Sequence, residues 1–259
     1  MPAQLFLTGA SGFLGTALLQ SCPAITVGRK PVTGHENIFW EIGEHPTLTT
    51  GTLGDRLNEG DCIVHLAWIT NPRSSKTAIL NEAATKVLLE TARVHGARFI
   101  FVSSMSADST SDSHYGRAKW NMEKLVRPYE NGIVIRPGVI EGPNGFGMLD
   151  ETLNKVAGLP VNISISPQPR VPLVALDRVV TEIIQAIDSG NAPTEIDCVD
   201  RWVTLGELVN TQRTKPAKFT VRIPQRLITL GAKALHGLPL DPVRNPADSW
   251  LGLTRPIAP

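Results

Sequence analysis

Apolar positions fall into two textures over the first 136 residues. Short, almost continuous apolar runs occupy Gln4–Thr8, Ala24–Gly28, Asn37–Glu41, Asp61–Leu66, Arg98–Ser103 and Ile133–Arg136. Between them apolar residues recur at helical spacing. The clearest case is Lys76–His95, where Ile79, Leu80, Ala83, Val87, Leu88, Ala92 and Val94 share one face. Strands that are apolar on both faces, alternating with helices, predict a parallel sheet covered on both sides. Right-handed crossovers then make it a doubly wound, Rossmann-like α/β fold.

After Arg136 the texture changes. Pro137, Pro143, Pro160, Pro167, Pro169 and Pro172 crowd the chain together with Gly138, Gly142, Gly145 and Gly147, which reads as loops and short elements rather than another strand–helix series. A helix is expected over Asp177–Asp188 with Asp177 as its cap, then a strand at Glu195–Val199 and a helix from Thr204. The stretch from about Asp241 is rich in proline and weakly patterned, and is expected to be poorly ordered or draped over the surface. The organisation expected is a dinucleotide-binding domain over residues 1–140, with 171–200 returning to it, and a small, partly interleaved substrate-binding region over 141–259.

Composition narrows the class. The chain of 259 residues is 42% hydrophobic and 19% charged, an ordinary globular mix. Its net charge of +1, with scattered cations, argues against nucleic acid as a partner. Cys22, Cys62 and Cys198 form no CxxC pair and read as buried thiols in a reducing compartment, without a metal site. The N-terminus lacks a basic leader and runs straight into a strand, and no apolar stretch reaches the length of a membrane span. A cytoplasmic location without a membrane partner is expected.

Leu5-Phe6-Leu7-Thr8-Gly9-Ala10-Ser11-Gly12-Phe13-Leu14-Gly15 follows a strand and opens a helix. Gly9 suits the tight turn, Gly12 the close approach of a pyrophosphate, and Gly15 the packing of helix on strand. The helix start offers N–H groups and a positive dipole end to phosphates.

Two further motifs make the pattern specific. Asp61-Cys62-Ile63-Val64-His65-Leu66-Ala67 ends a strand, and Tyr115-Gly116-Arg117-Ala118-Lys119 puts a tyrosine and a lysine one helical turn apart. With the glycine turn, these resemble the extended short-chain dehydrogenase/reductases, in the branch of nucleotide-sugar epimerases and dehydratases. The resemblance runs to about Asp188 and fades after Leu208. It implies a nicotinamide dinucleotide held by Gly9, Ser11, Gly12, Phe13, Leu14 and Gly15. It further implies that Leu66, Ala67, Trp68, Asn81, Ser103 and Pro137 border the cofactor, and that Glu41 and Ile42 read the adenine. Homodimers built on helices near Lys76–His95 and Tyr115–Arg127 are also implied.

The second strand ends Val27-Gly28-Arg29-Lys30, without the acid that accepts from a ribose 2′-hydroxyl. Arg29 and Lys30 suit a 2′-phosphate, so NADP is expected, with NAD possible; two solvated surface cations would give the same letters.

Tyrosine ordinarily titrates near ~10, and a neighbouring ammonium favours its phenolate. Tyr115 is therefore the candidate proton donor and acceptor, and Lys119 its tuning cation. Lys119 would also hold the nicotinamide ribose, by resemblance. The strand ending Val102-Ser103-Ser104 resembles the one that carries the family's catalytic hydroxyl, which implies Ser104, with Ser106 as the alternative, to orient a substrate oxygen. Arg136, Gly138, Val139 and Arg170 are expected on the substrate side. The segment Arg136-Pro137-Gly138-Val139-Ile140-Glu141-Gly142-Pro143 departs from the family pattern at Glu141, where the branch carries tyrosine. The expected activity is transfer of hydride to or from a hydroxyl or keto carbon, of a nucleotide-activated sugar first. A carbonyl reductase of a non-sugar molecule is the second reading and a non-catalytic NADP-binding sensor the third.

Overall fold

The structure is a computed structural model that describes residues 3–43, 53–70, 74–143, 145–189, 193–228 and 230; the tail expected from Asp241 lies outside them. The elements run β1 (Leu5–Thr8), α1 (Phe13–Ser21), β2 (Ile25–Val27), β3 (Asn37–Ile38), α2 (Leu53–Arg56), β4 (Cys62–His65), α3 (Ser75–His95), β5 (Arg98–Val102), α4 (His114–Val126) and β6 (Gly132–Pro137). They continue with β7 (Val139–Glu141), α5 (Asp150–Ala157), β8 (Val161–Ser166), β9 (Arg170–Ala175), α6 (Leu176–Asp188), β10 (Glu195–Cys198), β11 (Arg201–Thr204), α7 (Leu205–Thr211) and β12 (Phe219–Pro224).

Seven strands form one parallel sheet in the order β10-β6-β5-β4-β1-β2-β3. This is the mixed α/β, Rossmann-like architecture expected from the sequence. Alternation explains why the strands are apolar throughout. Phe6, Ile63, Phe99, Phe101 and Val134 face α3 and α4, while Leu7, Val64, Ile100, Val102 and Ile135 face α1 and α6, all buried.

Local signals set the helix ends. Ser74 and Thr77 form a reciprocal capping box at the start of α3, and Gly96 ends it at φ +65°. Asp177 does not cap α6. Ala175 holds that place, and Asp177 lies in the first turn, where its charge still favours the helix dipole.

The proline-rich stretch hides a regular crossover. Chain leaving β6 detours through β7, α5, β8 and β9, returns along α6, and adds β10 parallel to β6, with Glu195 opposite Val134. The detour builds a three-stranded sheet, β11-β9-β7, and a parallel pair, β12-β8. A third core, including Phe146, Leu153, Val171, Leu173 and Leu208, fills the space between them.

Behind the sheet edge, Glu123 of α4 is fully buried. Its carboxylate meets Arg127 at 2.6 Å and Arg136 at 3.2 Å, and Ser103 donates to it at 2.5 Å. Both arginines also reach Glu195 of β10, so this one acid ties α4, β6 and β10. Removing one member of a buried ion network leaves uncompensated charge, at a cost of about 3–5 kcal/mol. Glu123→Ala should therefore lower the unfolding free energy by that much, read as a fall in the urea midpoint at unchanged m-value; a midpoint within error of the native one would show the network to be dispensable.

Candidate active site

The carboxyl ends of the parallel strands open into a cleft of about 870 Å³. At its first wall β1 turns at Gly9, whose φ of +70° and whose approach to Ala67 exclude a side chain: a Cβ there would lie 2.7 Å from the Ala67 nitrogen. A Cβ on Gly15 would run into the Gly9 carbonyl, so α1 can start this close to β1 only with glycine.

β1 and β4 pair in parallel as far as Thr8 and His65, and beyond that ladder a chain of hydrogen bonds ties their ends together. The Thr8 hydroxyl accepts from the backbone N–H groups of Leu66 and Ala67 at 3.2 and 3.1 Å. Its own proton therefore goes to His65 Nδ1 at 2.7 Å, which puts the imidazole proton on Nε2, facing Thr85 Oγ1 at 3.0 Å. Thr85 in turn donates to the Asn81 carbonyl at 2.8 Å. Burial, with the Lys119 charge adding to it, pushes His65 down to about 3, so it stays a neutral structural imidazole.

Asn81 lies outside the cleft lining. Its amide clamps both backbone groups of Ile69, accepting at 2.7 Å and donating at 3.0 Å, and so shapes the loop after β4 that borders the cleft.

Gly12 caps α1 without any side-chain acceptor, and no acid stands in the first turn. The N–H groups at the start of α1 thus face the cleft with their dipole uncompensated, a cradle suited to phosphates. Ser11, Phe13 and Leu14 border the same end.

At the second wall, Arg29 and Lys30 follow β2, and Glu41 and Ile42 follow β3 beyond Trp40. Arg29 meets Glu41 at 3.4 Å, both largely exposed, so two residues expected to read separate parts of a cofactor touch each other. The Trp40 indole N–H is buried beside the cleft and has no hydrogen-bond partner among the described residues. An orphaned donor next to an uncapped helix fits a site completed by a polar ligand.

Lys119 and Tyr115 come from the first turns of α4 and share its cleft face. Lys119 is buried, donates to the Val102 carbonyl at 2.8 Å, and lies 3.8 Å from the Trp68 ring centre and 4.6 Å from that of Phe101. Its ammonium is 5.8 Å from the Tyr115 ring centre, and Trp68 meets Tyr115 edge-on. Burial draws Lys119 down to about 7, against the raising influence of Glu123. Burial also raises Glu123, partly offset by Ser103 and the two arginines.

Across the cleft, Ser104 Oγ lies 3.0 Å from Ser106 Oγ and accepts from the Ser106 N–H at 3.2 Å. Ser103 borders the cleft while its hydroxyl is spent on Glu123. Pro137, Gly138 and Val139 form the floor beside them.

Two residues expected on the substrate side are placed elsewhere. Arg136 is held by Glu123, Glu195, Asp197 and the Ala107 carbonyl, because it opens onto the ion network rather than the cleft. Arg170 starts β9 close enough to Glu207 to influence it, while the adjacent Val171 and Pro172 border the cleft. Trp40 and the Thr8–His65 pair were not singled out from sequence. The available signals were the tryptophan beside Glu41 and a histidine at the end of an apolar strand.

A Rossmann-like sheet, a glycine turn under an uncapped helix and a Tyr–Lys pair at one cleft define a dinucleotide-dependent enzyme of the dehydrogenase/reductase type. The chain belongs to the NAD dependent epimerase/dehydratase family, whose pattern matches residues 5–189. It is 31% identical to a ceramide reductase of Caulobacter vibrioides (strain NA1000 / CB15N) over 192 residues, 69% of this chain and 59% of that protein. It is 27% identical to a UDP-glucose 4-epimerase of Vibrio cholerae over 263 residues, 86% of this chain and 79% of the relative. The structure of MoeE5 in complex with UDP-glucose and NAD superposes with a TM-score of 0.62 at 18% identity, covering 97% of each chain. That likeness is one of fold.

The burial of Lys119 sets a stability window. Below about pH 7 both folded and unfolded chains carry its proton, and the folded chain bears the buried charge. Between about 7 and its ordinary 10.5 only the unfolded chain keeps the proton, so stability from this group rises with pH across that window. Lys119→Met should melt above the native protein at pH 7 and converge with it toward pH 10.5, both free of cofactor. Melting curves that stay parallel across the window would show that the lysine is not desolvated.

Proposed function

We propose that the chain is an NADP(H)-preferring reductase that interconverts a ketone and a secondary alcohol on a largely apolar small molecule. One observation carries the choice of substrate. Tyr115 and Ser104 face a cleft whose border beyond them includes Met105, Val139, Ile140, Phe146, Leu149 and Val171, with Ser106 and Ser113 as its hydroxyls. Three arginines of the surrounding elements are engaged with acids: Arg136 as above, Arg178 with Asp200 at 2.9 Å, and Arg201 with Glu141; Arg170, beside Val171, is exposed and outside the lining. A nucleotide diphosphate asks for free guanidinium forks, whereas an apolar body with one carbonyl asks for this lining. The likeness to a ceramide reductase points the same way.

A bound nicotinamide dinucleotide supplies the hydride donor or acceptor. Gly9, Gly12 and the start of α1 hold its pyrophosphate, Glu41 and Ile42 its adenine, and Lys119 its nicotinamide ribose. Tyr115 gives its phenolic proton to the substrate oxygen in reduction and takes it back in oxidation. Ser104, steadied by Ser106, donates a hydrogen bond to the same oxygen, and the Lys119 ammonium stabilises the phenolate left on Tyr115. The preference for NADP rests on Arg29 and Lys30 at a strand end without an acid. An exposed Arg29–Glu41 pair is weak, and a doubly charged 2′-phosphate competes well against one carboxylate.

A nucleotide-activated sugar is the second reading, favoured by the family and by the UDP-glucose 4-epimerase likeness. An epimerase regenerates its cofactor within each turnover and retains it; a reductase releases it. Mass spectrometry of denatured, freshly purified protein separates the two. Stoichiometric NAD, with thermal protection by UDP, would overturn the reductase reading.

Tyr115→Phe should lower turnover by roughly 10²–10⁴-fold while leaving the dissociation constant for NADPH within a factor of about three. Retained turnover would remove the tyrosine from the mechanism. Arg29→Ala should weaken NADPH roughly tenfold or more and leave NADH unchanged. Equal effects on both would remove the 2′-phosphate from the reading.

A further inference from the structure

Nine large apolar side chains are exposed among the described residues, and five of them gather on one small part of the fold. These are Leu159, Phe219, Val221, Leu227 and Leu230, between 41% and 63% exposed. The parallel pairing of β12 with β8 sets Phe219 opposite Val161, Val221 opposite Ile163 and Ile223 opposite Ile165. Ile163 and Ile165 reach the third core, but β12 is the outer strand, so the apolar face continues past the core into solvent. The Lys218 N–H bonds the Pro160 carbonyl at 2.9 Å, and Arg213 bonds the carbonyls of Leu159 and Val161, which holds the Leu159 turn against this edge.

Charge is concentrated at the same edge, where Lys218 and Arg222 alternate with Phe219 and Val221 and so flank the apolar face from the other side of β12. From Leu208 to Leu240 the sequence holds no Asp or Glu. Lys215, Lys218, Arg222 and Arg226 lie in that stretch, all exposed, and none takes part in the ion pairs found among the described residues. The whole chain carries only +1, so this is a local excess and not a general basic character.

We propose that this edge, β12 with the adjoining helical residues 225–228 and the Leu159 turn, docks the protein on an anionic phospholipid surface. Exposed aliphatic and aromatic side chains beside unpaired cations match the two demands of a bilayer interface, apolar insertion and attraction to anionic headgroups. A protein partner fits less well, since interfaces are depleted in lysine. Nucleic acid asks for phosphate contacts without an aliphatic patch. No helix among the described residues is long and apolar enough to cross a membrane, and peripheral docking needs none.

The surface stands independently of the substrate reading. Joined to it, the position has a use, because Phe146, Leu149 and Val171 of the third core border the cleft while Ile163 and Ile165 of that core carry the docking strand. One small unit would then meet the lipid on one side and the apolar substrate on the other.

The test is cosedimentation of the full chain with phosphatidylcholine vesicles, pure or with about a third phosphatidylglycerol. Binding is expected to the anionic vesicles alone and to weaken as salt is raised toward ~1 M. Arg222→Glu combined with Arg226→Glu should reduce the partition coefficient roughly 30-fold or more. Phe219→Ser with Leu227→Ser should reduce it at least about tenfold. Melting temperatures should hold in both variants, because every altered side chain is exposed. Four outcomes would overturn the proposal: no preference for anionic vesicles, binding unchanged in both variants, a dimer that the same substitutions dissociate, or binding of an oligonucleotide in place of vesicles. So would strong hydrogen-exchange protection of residues 219–228 without lipid, which would mean that the chain covers this face itself. None of these measurements uses cofactor or turnover, so failure here leaves the chemistry of Tyr115 standing, and failure of Tyr115 leaves the surface standing.

Discussion

The architecture of the cleft depends on how the chain leaves β1 and β4, two strands already paired by their ladder, and one hydroxyl fixes that exit. Thr8 takes two backbone N–H groups from the start of the loop after β4 and passes its proton to His65. The relay continues to Thr85 and to the backbone of Asn81, whose side chain grips Ile69. A glycine turn, a strand end, a helix and a loop are thereby held in one register by groups that are all satisfied. Satisfied buried networks are stiff, and stiffness is what a site needs when it must present backbone atoms at fixed spacing. His65 contributes through its tautomer alone, since burial keeps it uncharged.

Helix α4 carries the opposite kind of constraint. It brings a buried cation and a buried anion to one face one turn apart, Lys119 toward the cleft and Glu123 toward the sheet edge. Glu123 is matched by two arginines. Lys119 is bonded to a carbonyl and faces aromatic rings, and the Glu123 charge offsets its burial only in part, so its charge is held at the expense of stability. Charge left under-compensated beside a cleft is a common mark of a site whose chemistry uses it.

The strands of the first 136 residues were legible because they are buried on both faces; the stripe expected on α3 coincides with its buried face only at Leu88 and Ala92, since Ile79 and Val94 are exposed while Thr77, Asn81, Ala84, Thr85, Leu88, Leu89 and Ala92 are buried. The glycine turn could be placed from spacing, and Tyr115, Lys119 and Ser104 from spacing together with the family resemblance. The register of the rest could not. β8 and β12 pair across more than fifty residues, and Ile163 and Val221 show no alternation strong enough to announce it. Arg136 and Asn81 were misplaced for a shared reason. Each sits next to the cleft in the chain, and its side chain turns inward to satisfy buried groups that only the folded molecule reveals. Trp40 illustrates the reverse, an apolar residue in an apolar run whose unpaired N–H becomes visible only when its neighbours are known.

The bare start of α1 has a consequence for the lifetime of the protein. A helix that lacks both a capping side chain and an acid in its first turn leaves its end unfinished, and the same gap recurs at Trp40. Whatever fills these positions completes the fold, and by mass action holds the native state in proportion to its concentration. For a chain that binds its dinucleotide at this end, the population open to proteases would follow the supply of that ligand as well as the strength of the core.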